Sequence, residues 1–398
     1  MRTLCSFKKL AILIWIVNLS AICASTLSYI YLSYYTYKET GSLLYSQIVL
    51  FSPMVLPVLF VGQIYRLSDR VSPRTLLMLF NLLALLVVVL VYSLLPSFAL
   101  VAIIGGILIG TIDAVQRVGR IVAIKCYFNS SNIESTLPLT LTAQFIAGGI
   151  AGAAMMMVKG DMMPWHALVI TAVLFSTAAF AAFVLPRVER PKTASAPQFS
   201  ALIRTFKNLL STHPHLRRSF WQFIIFVSVY QGFFNVSRIT LPAHVLSLSE
   251  SYVGLLQAVN SIAALAGAIF YYVLSKRGYR VAPLFMAAIS AFFMAIASGG
   301  TSLLSSYSAY FFYIFFFELV FFKLQSDVVL ATPDDAMPLI ASVQYAGVYA
   351  GMIVAILVGS LLLEYMGLFW VSVVFVVFYF AVFLCVNLDF KSVRGQPR

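Results

Sequence analysis

A few charged and amide side chains stand inside long apolar stretches, and these are the residues whose chemistry needs a reason. One stretch carries Asp113, Arg117 and Arg120 at i, i+4 and i+7, which puts all three on one face of a helix. Asp113 and Arg117 can pair there, lowering the cost of burying either. Such a pair can shape a binding site, or it can simply hold helices together near one end. A second stretch carries Glu318, Lys323 and Asp327. Lys323 and Asp327 are one turn apart and can pair. Glu318 and Lys323 are separated by roughly 140° round a helix of about 3.6 residues per turn, so they do not face each other. Glu318 is therefore left without a cation on its own helix, in a run holding Phe311, Phe312, Tyr313, Phe315, Phe316, Phe317, Phe321 and Phe322. Burial disfavours the charged form of a carboxyl. Such a group can load and release a proton; the alternative is a permanently protonated acid bonded to a neighbouring helix. A third stretch carries Gln231, Asn235 and Arg238, again on one face. That pattern suits a face lining a cavity, although Arg238 lies near the end of its stretch and could reach back to a polar boundary. Asn18 is a weaker member of the same class.

The stretches that position these residues are membrane-spanning by length. A spanning helix needs about 20 predominantly apolar residues. Twelve runs qualify, roughly 10–32, 42–64, 75–95, 98–123, 136–158, 165–185, 220–242, 253–274, 281–300, 307–329, 336–363 and 368–388. Hydrophobic residues make up 62% of the chain and charged residues 10%, against about a quarter charged in soluble domains. The expected fold is all-α and polytopic. In a bilayer each ionisable residue at a helix centre costs about 2.5–3.5 kcal/mol even on insertion scales, which makes the residues above the leading functional candidates. The first run is too long for a signal-peptide core and is read as an uncleaved first helix.

Several function classes fall away. Cys5, Cys23, Cys126 and Cys385 are scattered and give neither a disulfide framework nor metal spacing. The four histidines form no ligand cluster; His213 and His215 are close, but in a polar loop. No G-x-x-x-x-G-K-[ST] loop is present, which speaks against ATP coupling within the chain. No cofactor, no metal, no nucleic-acid partner and no enzymatic activity are expected. The net charge of +13 has a topological cause instead. An even number of spans puts both termini on one side. That side collects Arg2, Lys8, Lys9, Arg66, Arg70, Arg74, Lys125, Arg187, Arg190, Lys192, Arg204, Lys207, Arg217, Arg218, Lys276, Arg277, Arg280, Lys391, Arg394 and Arg398, while the other side holds only Lys38 and Lys159. The positive-inside rule makes the basic side cytoplasmic.

The chain also repeats itself. The polar, proline-rich stretch Pro186–Arg218 divides it into 1–186, a connector 187–218, and 219–398. The basic loop Tyr65–Arg74 has a counterpart at Tyr271–Arg280, in which Arg70 and Arg74 fall on Lys276 and Arg280. Pro138-Leu139 with Gln144-Phe145 likewise matches Pro338-Leu339 with Gln344-Tyr345. Two six-helix halves related by an internal repeat are a transporter signature, with substrate held between the halves near mid-membrane. Glycines at Gly148, Gly149 and Gly152 and at Gly347 and Gly351 are expected to let helices pack closely.

In these features the chain resembles the major facilitator superfamily. That family carries G-x-L-A-D-R-x-G-R-K/R between its second and third membrane helices and a weaker copy between the eighth and ninth. The first loop here keeps Leu67, Asp69, Arg70 and Arg74, with Tyr65 and Ser72 at the usual glycines and Pro73 for an arginine; the second keeps Lys276, Gly278 and Arg280 and has Ser275 for the acid. The resemblance implies a secondary transporter of small molecules, working in the lipid bilayer. Arg117 is similar to an arginine in the macrolide-efflux and siderophore-export branch, although the proline of the family's antiporter motif is missing from the fifth run. The resulting expectation is a monomeric, proton-coupled exporter of an amphiphilic compound such as an antibiotic or siderophore, in the cytoplasmic membrane. Proton coupling falls to Glu318 and Asp113, and substrate binding to Asn18, Arg117, Gln231, Asn235 and Arg238. Gating falls to Asp69, Arg70 and Arg74, with Asp69 meeting the start of the eleventh helix, which is expected at Thr332-Pro333-Asp334-Asp335. Uptake of a small anion or nutrient, or a non-transporting receptor or assembly factor on the same scaffold, are the alternatives.

Overall fold

Apolar runs without water to bond their backbones must satisfy every N–H and C=O internally, and the helix is the local way to do so. The structure, a computed structural model, follows that rule. It describes residues 7–40, 49, 53–95, 100–128, 130–157, 163–188, 199–248, 251–279 and 281–394, and contains no strand among them. The elements are α1 (Phe7–Thr40), a helical stretch 53–59 running into α2 (Val61–Arg70), α3 (Pro73–Leu94), α4 (Leu100–Tyr127), α5 (Ser130–Met157), α6 (Pro164–Val184), α7 (Phe199–Thr212), α8 (Pro214–Thr240), α9 (Ser251–Lys276), α10 (Pro283–Gly299), α11 (Leu303–Ala331), α12 (Met337–Tyr365) and α13 (Leu368–Arg394). Among the described residues, seven helices are long and apolar enough to cross a membrane by composition alone: α1, α3, α4, α6, α9, α12 and α13. α8 and α11 are as long, and glutamine, serine, tyrosine and charged residues run along them. They are also the helices that carry Gln231, Asn235, Arg238 and Glu318. Most of the second expected run, 42–52, lies outside the described residues.

The chain forms two compact units. The first comprises Met1–Asn132, Leu139–Phe199 and Asp334–Ala346; the second comprises Ile133–Pro138, Ser200–Pro333 and Gly347–Arg398. Within the first, α1 and α3 each pack on α4 and α6. Their shared core includes Tyr31, Leu32, Ala84, Val88, Tyr92, Ile109 and Phe175, with the rings of Tyr31 and Tyr92 5.5 Å apart. Within the second, α11 is the central helix and packs against α8, α9 and α10. Its core is aromatic: Phe226 stacks on Phe317 at 5.1 Å, and Tyr230 meets Tyr379 edge-on at 5.2 Å. Buried tyrosines need partners for their hydroxyls. Tyr230 Oη donates to Ala287 O at 2.9 Å, and Tyr313 Oη to Tyr230 O at 2.6 Å.

The outer faces invert the pattern of a soluble protein. α3 exposes Leu79, Leu82, Leu83, Leu86 and Leu90 while burying Asn81; α6 exposes Val169, Val173, Phe180 and Phe183 while burying Thr171. Apolar surface on this scale marks contact with lipid or with another apolar surface.

Four expectations change. Pro186–Arg218 is not all loop, since α7 lies inside it, with Leu202, Phe206, Leu209 and Leu210 on one side and Arg204 and Lys207 exposed. Thr332 does not cap the start of the eleventh membrane helix. It ends α11, its Oγ1 donating back to Val328 O at 2.6 Å, and α12 begins only at Met337. The glycine faces also differ. A Cβ at Gly347 would meet Ile224 Cδ1 at 2.8 Å, and one at Gly351 would collide with Ser228 Oγ, so both allow close approach of α8 and α12; a Cβ at Gly148 would meet nothing within 4 Å. Lys125, expected beyond its helix, sits inside the last turn of α4.

Candidate functional site

In the first unit, α4 supplies the cluster that its spacing promised. Asp113 is 1% exposed. Arg117 Nε donates to Asp113 Oδ2 at 2.7 Å, and Arg120 Nη2 lies 3.4 Å from Asp113 Oδ1. One carboxylate thus receives two guanidinium groups. Arg120 is 4% exposed, whereas the Arg117 side chain keeps 27% of its surface open, so Arg117 is the member that can meet a ligand. Between them stands a residue that spacing arguments passed over. Gln116 is 1% exposed, and neither its Oε1 nor its Nε2 has a hydrogen-bond partner. Its position three residues after Asp113 was the available signal. Asn18 does not face this group through its nitrogen. Its Nδ2 donates to Thr140 O at 3.1 Å, tying α1 to α5, and its Oδ1 is left without a partner.

The basic loop lies in the same unit. Ser72 caps α3, accepting from Thr75 N at 3.3 Å, with Pro73 in the first turn. Arg74 lies over the ring of Phe183 at 5.0 Å, a cation–π contact between α3 and α6. Arg70 is exposed and Asp69 half-buried. Lys125 reaches Asp334 at 3.5 Å; the lysine side chain is 6% exposed and the aspartate 89%. That ion pair joins residues far apart in sequence, and no local spacing announced it.

In the second unit, Glu318 is 4% exposed, and its Oε2 has no hydrogen-bond partner. No ion pair reaches it among the described residues. Lys323 bonds Asp327 instead. Glu318 sits where Gly267 brings α9 close to α11. A Cβ at Gly267 would stand 2.8 Å from both Glu318 Cβ and Phe315 O, so only glycine allows the crossing. On α8, Gln231, Asn235 and Arg238 share a half-buried face as their spacing implied. Asn235 Nδ2 donates to Gln231 O at 2.9 Å. Tyr310 of α11 stands within electrostatic reach of Arg238, a partner that the sequence did not single out. No group of three or more metal-ligating side chains occurs among the described residues.

The arrangement offers buried charge, amides and aromatic walls, and among the described residues no nucleophile and base are set for covalent chemistry. That is equipment for binding and releasing a molecule. The comparisons with known proteins agree. The sequence matches the Major Facilitator Superfamily over residues 14–337. No protein of curated function matches it in sequence. Among solved structures, FucP, a transporter of that superfamily in the outward conformation, aligns with a TM-score of 0.75 at 12% identity, covering 97% of this chain and 99% of its own. A bacterial homologue of the iron transporter ferroportin, in an outward-facing state, gives 0.73 at 12% identity over 95% and 99%. The human organic anion transporter MFSD10 gives 0.72 at 14% identity over 95% and 99%. Likeness at these identities is a likeness of fold, and that fold has twelve membrane helices in two halves. The family match covers most of the chain, and with the apolar helices and the internal repeat it identifies a multi-pass membrane transporter belonging to the major facilitator superfamily.

Proposed function

We propose that this transporter exports an amphiphilic small molecule across the cytoplasmic membrane in exchange for protons, with both termini in the cytoplasm and the chain acting as a monomer. The observation that carries the reading is the contrast between its two buried membrane carboxylates. Asp113 receives two arginines at 2.7 and 3.4 Å, a fixed arrangement of opposite charges. Glu318 has an oxygen with no partner and phenylalanines around it. A group that alternates between neutral and charged cannot keep a fixed cation beside it, and no ion pair reaches Glu318 among the described residues. Asp113 then serves as the fixed half of the coupling machinery, holding Arg117 and Arg120 in place. Arg117, Gln231, Asn235, Arg238 and the buried, unpartnered oxygen of Asn18 are the proposed contacts for substrate. Aromatic side chains along α8 and α11 suit its apolar part. Asp69, Arg70 and Arg74 are proposed to work the gate; replacing Asp69 with Asn should then lower turnover while leaving binding intact.

The test is transport in proteoliposomes. Glu318→Gln mimics the protonated acid, so it should abolish uphill movement driven by a pH gradient while substrate exchange continues. Uphill transport by Glu318→Gln on a proton gradient would sink the assignment.

A further inference from the structure

The end of α8 presents a cation without a counter-charge. Arg238 lies in the last turn of that helix, is half-buried, and forms no ion pair among the described residues. A guanidinium withdrawn from water is costly unless something answers its charge. Its neighbour on α11 is also unsatisfied. Tyr310 is 1% exposed, its ring lies 6.1 Å from that of Phe234, and its hydroxyl makes no hydrogen bond. The Ser237 hydroxyl interacts with it and, while donating to Phe234 O at 3.2 Å, keeps lone pairs free to accept, but its geometry falls short of a hydrogen bond to the phenol. Asn235 directs its amide nitrogen to the Gln231 carbonyl of its own helix. Glu364 is exposed and lines a cavity of about 420 Å³ with Thr240 and His244, two further residues of this end of the unit, yet it forms no ion pair with Arg238. Just beyond Arg238 the helix widens into a π turn, Leu241–Val245, a local form that concentrates at functional sites.

Two donors therefore lie within electrostatic reach of each other, one charged and one neutral, and neither makes a hydrogen bond to a described residue. A neutral carbonyl could satisfy the phenol but would leave the guanidinium charge unanswered. An oxyanion satisfies both, and its bonds to the guanidinium are charge-assisted. We propose that Arg238 and Tyr310 form a binding site for an oxyanion group, a carboxylate, sulfonate or phosphate, on an organic molecule. The proposal rests on the transport reading above and fixes the polar end of the amphiphile as anionic. A lipid headgroup carries the same chemistry as a soluble substrate, so the two sources have to be separated experimentally.

The experiment uses the full chain purified in a non-ionic detergent, with radiolabelled 2-naphthoate, naphthalene-2-sulfonate and the neutral 2-naphthamide as probes in equilibrium dialysis. The wild type should bind one of the anions about tenfold or more tightly than the amide, the size expected of a hydrogen bond to a charged group. Arg238→Gln should bring the anion down to the amide's affinity, and Arg238→Lys should restore part of the difference. Tyr310→Phe keeps the buried ring and removes only the hydroxyl; it should weaken anion binding about threefold to tenfold and leave the amide unchanged. No preference for either anion in the wild type, or a preference that survives Arg238→Gln, overturns the site. If Arg238→Gln does not yield folded protein, unchanged anion binding by Tyr310→Phe overturns it instead. In nanodiscs, anion binding that disappears on replacing phosphatidylcholine with phosphatidylglycerol assigns the oxyanion site to a lipid headgroup; binding indifferent to that change assigns it to a soluble molecule. A protein that binds the anion in this way but does not move it in proteoliposomes keeps the site and removes the transport reading, so the two failures are distinct.

Discussion

Asp113 shows how one side chain can hold a functional surface together. It takes both Arg117 and Arg120, and it is almost wholly buried. Removing one partner of a buried pair leaves the other charge uncompensated, which costs about 3–5 kcal/mol. Asp113→Asn keeps the shape and removes the charge, so it isolates that effect. It should lower the yield of folded protein and the thermal midpoint in detergent markedly. Arg117→Gln, which removes the more open guanidinium and leaves Arg120 on Asp113, should be milder. Equal midpoints for the two variants, measured by differential scanning fluorimetry, would show that the α4 pair carries no such structural load. Glu318 behaves in the opposite sense. With no ion pair among the described residues, its conversion to Gln should leave stability near normal while stopping proton-driven transport.

The two basic loops make a point about elements. They align residue for residue, yet their connectors solve the turn differently. In the second copy Gly278 sits at φ +76°, in the left-handed region, where a Cβ meets no neighbour within 4 Å but the backbone itself disfavours one. In the first copy the aligned residue, Ser72, has φ −60° and ψ 145° and caps α3 through Thr75 N. A swap experiment follows from this contrast. Gly278→Ser should cost about 1–2 kcal/mol for the backbone alone, whereas Ser72→Gly should cost only a few tenths, roughly the difference between serine and glycine at a helix cap. A Gly278→Ser protein that melts with, or above, Ser72→Gly would count against the reading. The fifth and eleventh membrane helices diverge in the same way. α5 starts at Ser130, well before Pro138, while α12 starts at Met337, immediately before the matching Pro338. An internal repeat preserves the path of the chain more faithfully than the start of each helix.

At the scale of the whole molecule, the charge asymmetry has a consequence that needs no side-chain detail. Basic residues concentrate on one set of connectors, and α7, inside the central connector, exposes Arg204 and Lys207 beside an apolar side of Leu202, Phe206 and Leu210. An amphipathic, basic helix of that kind suits the surface of a membrane rather than its interior. A reporter enzyme fused after Arg218 should therefore report a cytoplasmic location, and one inserted within Tyr35–Gly41 an external one. The reverse pattern would overturn the orientation and the direction assigned to transport.

Class and family were legible in the sequence because they depend on composition and period. Runs of about 20 apolar residues cannot be accommodated in water, and the repeat of Tyr65–Arg74 at Tyr271–Arg280 is visible without coordinates. The pairs Asp113–Arg117 and Lys323–Asp327 were legible for the same reason, since helical spacing brings i and i+4 together wherever the helix lies. What spacing cannot reach is contact between helices distant in the chain. Only the folded structure set Gly267 against Glu318, Tyr310 near Arg238, and Lys125 against Asp334. Only it showed that Gln116 is buried without partners while Asn18 is tied to Thr140. Such contacts depend on which faces of which helices meet, a choice made by the packing of the whole unit and not by any window of sequence.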